Sequence, residues 1–532
     1  MITSRNSLVF FLAFCAGSLQ VCAQAPELGE TEFPNSGAAD AQESFLRGLL
    51  LLHSFEYEDA REAFGEARRT DPDFVMAYWG EAMSHNHPIW FTQNTKAARG
   101  VLEALAPTRE ERLAKAPTAR ERNYLHAVDV LFFADEDKQG RDLAYQEVMQ
   151  ELHAAYPDDL DAASFYALSI LGSSHGGRDY GLHMKAAAVA EEVFASNPRH
   201  PGAAHYLIHS YDDPVHAPVG LRAARVYAGI APSAAHALHM PSHIFMAMGM
   251  WDEVASSNED SWRAADERVE RKNLGVNQRS FHALKWLCYG YLQQGRYDAA
   301  METLHIVEND VKRSNQSTQT RRAHVEMRAA YVIETEQWDS EAANMEIDHD
   351  GLGLEGKTIN LFAMGVIAVK RGDPESARQH LAGILDLVSG AKEGRSGLEA
   401  ATVMQHELKA LLLVDEGRPE DALALLKQAA AMEAAMAFDA GPPVPIKPSH
   451  ELLGEMLLDA GYAAEAQEAF TQALARAPKR ARSLLGLAQS AALAGDDLTA
   501  GRARATLRRA WHRADAEVAA VLDAGAPAGA MR

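Results

Sequence analysis

The sequence predicts an all-α fold, a right-handed superhelical solenoid of antiparallel helix pairs. Three observations predict it. Small and apolar residues recur in a fixed frame along most of the chain. Turn signals such as Gly295-Arg296-Tyr297 and Gly461-Tyr462 fall where a helix pair should bend. No segment shows the sustained apolar/polar alternation of a β-strand, so helices are the predicted element throughout.

The frame is clearest near the two ends of the chain. Successive spacings of 12, 4, 3 and 5 residues separate Gly48, Ala60, Phe64, Ala67 and Pro72. The same spacings separate Gly454, Ala466, Phe470, Ala473 and Pro478. This is the pattern of the tetratricopeptide repeat (TPR), roughly 34 residues long. Small residues let two helices approach closely, and the proline ends the second helix, so the frame predicts stacked helix pairs.

The first 23 residues are predicted to form a cleavable signal peptide, cut after Ala23. Arg5 supplies a positive charge, a mostly apolar run follows over residues 8–19, and Val21-Cys22-Ala23 puts small residues before the cut. That run is too short to span a bilayer, so no transmembrane span is expected. The sequence therefore predicts an exported protein, periplasmic or secreted.

The chain after the cut divides by composition and phase. We predict a flexible leader (24–40), an N-terminal TPR array carrying a histidine-rich groove (41–310), middle TPR-like helices (311–435), a Pro-rich loop (436–448), C-terminal TPR repeats (449–515) and a tail (516–532). The leader is small and polar, and the prolines of FDAGPPVPIKPSH exclude regular helix there. After cleavage Cys288 is the only cysteine, so the fold must depend on its apolar core.

The formal net charge of −23 argues against a nucleic-acid partner. Stacked helix pairs of this kind have a concave groove, lined by the first helix of each pair. The expected partner is therefore a peptide, a protein or a small molecule bound in that groove.

Histidines concentrate where the frame points into this groove. Seven of the chain's 22 histidines fall within residues 199–243. His205 and His209 are four residues apart, as are His239 and His243, and that spacing puts each pair on one helix face. The groove-facing positions of three successive repeats are occupied by His205, His209, Asp212, His236, His239, His243 and His282.

Paired helix-borne imidazoles are typical metal ligands, and neutral imidazole suits zinc, copper or iron. We therefore predict a transition-metal site formed by these six histidines with Asp212. Two alternatives remain open at this stage: a polar or anion-accepting pocket without metal, and histidines with purely structural partners. Pro241 interrupts the helix between His239 and His243 and should re-aim the first part of the cluster.

Several strings of this sequence resemble a His-rich group of exported bacterial TPR proteins. They are HYLIHSYDDP, HALHMPSHIF, FHALKWLCYGYLQ and GPPVPIKPSHELLGE, together with the opening segments HSFEYEDAREAF and AYWGEAMSHNHPIW. The likeness spans nearly all of the mature chain, and the histidine strings are its specific part. That group is functionally unassigned, so the resemblance implies architecture and carries over no catalytic residue.

Two functions follow from the sequence. The first is an exported TPR binding or scaffold protein with a His-lined, metal-binding pocket in its groove. The alternative is a metal-dependent enzyme, hydrolytic or redox, that uses the same histidines. In the enzyme, Asp212, Glu451 or Glu455 would move protons.

Overall fold

The structure, a computed structural model, describes residues 27–523. The predicted signal peptide with its cut after Ala23, residues 24–26 of the leader and residues 524–532 of the tail lie outside this range. Within it the chain is helical almost throughout, which confirms the predicted all-α helical-repeat fold. No helix within residues 27–523 combines the length and apolar character that crossing a bilayer requires.

The first half of the chain forms helices that pack pairwise in sequence order. They are α1 (Gln42–His53), α2 (Tyr57–Thr70), α3 (Val75–Met83), α4 (Thr95–Leu105), α5 (Arg109–Ala114), α6 (Ala119–Phe133), α7 (Lys138–Ala155), α8 (Leu160–Gly172), α9 (Tyr180–Ser196), α10 (Pro201–Tyr211), α11 (Ala217–Ile230), α12 (Ala235–His239) and α13 (Pro241–Ala247).

The second half continues the stack. Its helices are α14 (Trp251–Arg271), α15 (Phe281–Gln293), α16 (Tyr297–Arg313), α17 (Thr318–Thr335), α18 (Glu341–Asn344), α19 (Leu354–Lys370), α20 (Pro374–Ser389), α21 (Leu398–Asp415), α22 (Pro419–Ala435), α23 (Ser449–Asp459), α24 (Ala463–Arg476), α25 (Ala481–Leu493), α26 (Asp497–Ala510) and α27 (Ala516–Asp523). Short 3-10 helices cover Ala39–Ala41, Pro88–Trp90 and Val276–Gln278.

One element was not predicted from the sequence. Residues Asn86–His87 (β1) and Thr92–Gln93 (β2) form a two-residue antiparallel ladder around a tight connection. The segment is too short for any alternation of apolar and polar residues, so the sequence contains no strand signal there.

Small residues allow the close helix packing that the frame predicts. A Cβ on Gly80 would lie 2.3 Å from the ring of Phe64, and one on Gly48 would lie 3.0 Å from the same ring. The C-terminal repeats reproduce this contact, because a Cβ on Gly486 would lie 2.2 Å from Phe470. Each phenylalanine thus packs against helix backbone where no side chain fits.

The described part of the predicted leader packs on the array. Residues 27–40 run along the repeat helices, with Leu28 and Phe33 buried in the same core as the array. The Thr31 hydroxyl also donates to Asp161 at 2.8 Å. Burying one apolar side chain of this size stabilises by about 1.5–3 kcal/mol, so these two side chains favour the packed position of the segment.

The array folds back on itself, so that its C-terminal repeats contact its middle. Trp251 donates its indole N–H to the carbonyl of Lys479 at 3.0 Å, and Gln293 accepts from the backbone N–H of Ala481 at 2.8 Å. The predicted tail takes part, because its residues 516–523 form α27 and Val518 is buried there.

Candidate metal centre

The structure brings the six predicted histidines together on three neighbouring repeats. His205 and His209 lie on α10, His236 and His239 on α12, His243 on α13, and His282 on α15. Pro241 splits what would be one helix into α12 and α13, with Met240 between them in helical conformation. The helix axis is interrupted, yet both parts present histidines to the same side.

The first trio consists of His239, His243 and His282. One ligand nitrogen from each lies within 4.8 Å of the other two. The Nε2 atoms of His239 and His243 are 3.1 Å apart. Two nitrogens bound to one zinc ion at about 2.0–2.1 Å in a tetrahedral arrangement would be about 3.3 Å apart, so this approach suits shared coordination.

Outer hydrogen bonds fix which nitrogen of each ring carries the proton. His243 donates from Nδ1 to Asp212 at 2.5 Å, and His239 donates from Nδ1 to Asn258 Oδ1 at 2.6 Å. The amide of Asn258 is itself oriented, because its Nδ2 donates to the carbonyl of Val254 at 2.8 Å. In its neutral form each ring therefore carries its proton on Nδ1 and turns a bare Nε2 lone pair towards the other ring.

Two lone pairs at that distance repel unless a cation lies between them, either a metal ion or an added proton. Burial lowers the pKa of His239 to about 3, because a buried ring loses the hydration that stabilises its charged form. The ring of His239 therefore stays neutral and available as a ligand at neutral pH.

The second trio consists of His205, His209 and His236, whose ligand nitrogens also lie within 4.8 Å of one another. His205 donates from Nδ1 to the carbonyl of His53 at 2.7 Å, which leaves its Nε2 bare and 3.2 Å from the Nε2 of His209. Burial lowers the pKa of all three rings well below the ordinary value. Phe55 packs edge-on against His205, with ring centroids 4.2 Å apart, and forms the apolar wall behind this trio.

Both trios adjoin one cavity of about 650 Å³, which the Pro-rich segment 436–448 covers on one side. Eight side chains on its wall carry a formal charge. Three are cationic, namely Arg178, Lys285 and Arg322, and five are anionic, namely Asp212, Glu326, Glu334, Glu355 and Asp439. With neutral histidines the lining has a surplus of two negative charges, which favours cations in the cavity.

A third cluster consists of His53, Asp161 and His200 and is fully buried. His53 donates from Nε2 to Asp161 at 2.8 Å and accepts the hydroxyl proton of Tyr206 at Nδ1. His200 accepts a backbone N–H at Nδ1, and its Nε2 faces the Asp161 carboxylate at 3.4 Å without forming a hydrogen bond. The acceptor nitrogen of each ring is thus already paired with a protein group, which favours a structural role for this cluster.

Of the three catalytic candidates, Asp212 lies at the histidines and the two glutamates do not. The Asp212 carboxylate accepts from His243, so it contacts a predicted metal ligand. Glu451 accepts from Arg480 at 2.7 Å and from Lys447 at 3.0 Å, and Glu455 accepts from Lys447 at 2.6 Å. The structure thus places the two glutamates in a separate buried ion network between α23 and α25.

Sequence reasoning missed two groups on the cavity wall. Asp439, in the Pro-rich segment, and Glu334, on α17, both line the cavity. Neither belongs to a spacing pattern with the histidines, because both lie in later segments of the chain. The proline-rich composition around Asp439 was the one available signal.

Comparison with known proteins gives the fold alone. No protein-family model and no curated protein sequence matches this chain. Among solved structures, the human IFIT1 dimer with m7Gppp-AAAA is 13% identical, covers 92% of each chain and has a TM-score of 0.35. The P58(IPK) TPR domain is 13% identical over 86% of this chain and 99% of its own, with a TM-score of 0.24. PilF of Pseudomonas aeruginosa is 16% identical over 44% of this chain and 95% of its own, with a TM-score of 0.23.

Proposed function

We propose that this chain is an exported helical-repeat binding protein that holds a transition-metal ion in its concave cavity. The ion, zinc, copper or iron, would be bound by His239, His243 and His282. The observation that carries the proposal is the pair of bare Nε2 atoms 3.1 Å apart, with a third imidazole nitrogen within 4.8 Å. Neutral imidazoles are ligands that all three metals accept.

The outer hydrogen bonds support a metal over a purely structural role. Metal-binding histidines usually donate their other ring N–H to a carboxylate or carbonyl oxygen, which fixes the tautomer. Asp212 and the Asn258 amide oxygen fill that role for His243 and His239. The acidic surplus of the cavity lining favours the same cation.

Metal analysis of the mature protein tests the proposal. The protein would be purified without chelators and reloaded in turn with Zn(II), Cu(II) and Fe(II). Bound metal should survive desalting in the wild type and fall in His243→Ala and His239→Ala. His305→Ala is the matched control, because His305 is an exposed histidine paired with Glu341 outside the cavity. A wild type that stays metal-free after reloading would overturn the proposal.

The size of the cavity favours a second candidate function, a metal-dependent enzyme. A volume of about 650 Å³ suits a small molecule better than an extended peptide. Three protein ligands leave a coordination position open, as in catalytic zinc sites. Burial raises the pKa of Asp439, which would suit this carboxyl to moving a proton beside the metal.

Turnover distinguishes the enzyme from the binding protein. The metal-loaded protein would be assayed against chromogenic esters and phosphates, and the copper form for oxygen consumption. Asp439→Asn should lower any turnover without changing metal content, whereas Asp459→Asn, an exposed aspartate outside the cavity, should change neither. Absence of turnover in every metal form would leave the binding function alone.

A further inference from the structure

The histidines outside the first trio form a second convergent set. His205 turns its bare Nε2 towards His209, because its Nδ1 proton is given to the His53 carbonyl. The Nε2 of His236 is buried and has no hydrogen-bond partner within residues 27–523. An unpaired buried nitrogen is costly unless a ligand satisfies it, so its position beside two other imidazoles needs an explanation.

One ion cannot use all six rings. Zinc, for example, takes about four ligands at about 2.0–2.1 Å in its protein sites. The closest nitrogen approaches occur within the trios, at 3.2 Å between His205 and His209 and 3.1 Å between His239 and His243. Each trio is therefore a separate convergence point with its own donors.

The two points are neighbours. Ring centroids of His209 and His243 lie 5.8 Å apart, and those of His236 and His239 lie 6.0 Å apart. Each of these pairs joins one ring of the first trio to one ring of the second. The same cavity is lined by His209, His236, His243 and His282. Open coordination positions of the two trios would thus face a shared space.

We infer that the two trios bind two transition-metal ions side by side, and that a small anion from the cavity bridges them. This inference rests on the proposed function, which needs only the first trio. Two divalent ions bring four positive charges against a lining surplus of two negative charges, so the loaded centre would carry net positive charge. An anionic ligand such as hydroxide would offset that charge and fill an open position on both ions.

Metal stoichiometry tests the number of sites. Cu(II) is the probe, measured by elemental analysis after desalting. The wild type should bind two ions per chain. His236→Ala, which alters the second trio alone, and His282→Ala, which alters the first trio alone, should each bind one. Both side chains are incompletely buried, and circular dichroism would confirm that each variant is folded. His305→Ala should keep two ions.

Electron paramagnetic resonance tests the bridge without any variant. Two Cu(II) ions joined by a bridging anion couple their spins, so the wild-type signal should fall far below its copper content. The single-site variants should give a signal that matches their copper content. One ion in the wild type, or two with a full uncoupled signal, would overturn the two-ion centre and leave the proposed function intact. No bound copper at all would overturn both.

Discussion

The outer partner of His243 offers the sharpest test of how this site is built. In the wild type the Asp212 carboxylate oxygen Oδ2 lies 2.5 Å from His243 Nδ1 and accepts its proton. Asp212→Asn keeps the shape and an acceptor oxygen but removes the negative charge. Hydrogen bonds to charged groups contribute about 1.5–3 kcal/mol, against about 0.5–1.5 kcal/mol for neutral ones. Bound metal makes the imidazole N–H more acidic and its bond to a carboxylate stronger, so the loss should be greater in the loaded protein.

Metal affinity should therefore fall by roughly 10–100-fold, which is the range found for partners of metal-binding histidines. That change corresponds to about 1.4–2.7 kcal/mol of binding free energy. Asp212→Ala should lose more, because an imidazole without an acceptor at Nδ1 is free to move its proton to Nε2 and cover the ligand lone pair. The order of affinity should be wild type, then asparagine, then alanine.

Competition with a chromophoric zinc chelator at neutral pH measures these affinities, and thermal melting of the metal-free proteins checks that each is folded. Glu341→Gln is the matched control: it also removes a carboxylate from a histidine partner, but outside the cavity. Its affinity should equal that of the wild type. Equal affinities for all four proteins would refute the assignment of Asp212 as the group that orients His243.

Two further predictions concern the fold. Gly80→Ala should lower the free energy of unfolding by about 1–3 kcal/mol, because the new Cβ would lie 2.3 Å from Phe64. Gly100→Ala, mid-helix in open space, should raise it by roughly 0.5–1 kcal/mol; urea titration measures both, and equal effects would contradict the packing argument. Burial opposes ionisation of Glu451, yet the charge of Arg480 holds its pKa below the ordinary value, so its contribution to stability is present at neutral pH and lost as pH falls below about 4.3. Glu451→Gln should lower the free energy of unfolding by about 3–5 kcal/mol at neutral pH. Below about pH 4.3 the free energy of unfolding of the variant should also fall less steeply with pH than that of the wild type; an equally steep fall would contradict this.

The fold could be predicted because helix pairing depends on residues that are close together in the sequence. Helices approach closely only where small residues recur, and the contacts of Gly48 and Gly80 with Phe64 are examples. The closure of the array could not be predicted. It depends on contacts such as the hydrogen bond between Trp251 and Lys479, which are 228 residues apart. Neither repeat contains a sequence pattern that indicates its contact with the other.

The site could be predicted in part for the same reason. Spacing of four residues and the repeat frame put six histidines on facing surfaces, but a frame fixes only the face of a helix and not the partner opposite. Glu451 occupies a groove-facing position in its repeat, yet Arg480 from the following repeat neutralises it. His53 has no partner at helical spacing, and its bond to Asp161 joins residues 108 apart.

Counting protons against lone pairs favours the predicted metal site over the two other interpretations that the sequence leaves open. In the cluster of His53, Asp161 and His200 the acceptor nitrogen of each ring meets a proton of the protein, so neither ring has a lone pair free for a metal ion. An anion needs N–H donors, but His239 and His243 already give their Nδ1 protons to Asn258 and Asp212.

A cation suits these bare nitrogens, and the nature of the cation follows from their number. A proton shared between His239 and His243 would satisfy two nitrogens and no more. Each trio converges three. A shared proton leaves the third nitrogen without a partner, whereas a metal ion can bind all three nitrogens. In the second trio the buried Nε2 of His236 is likewise without a hydrogen-bond partner among the described residues.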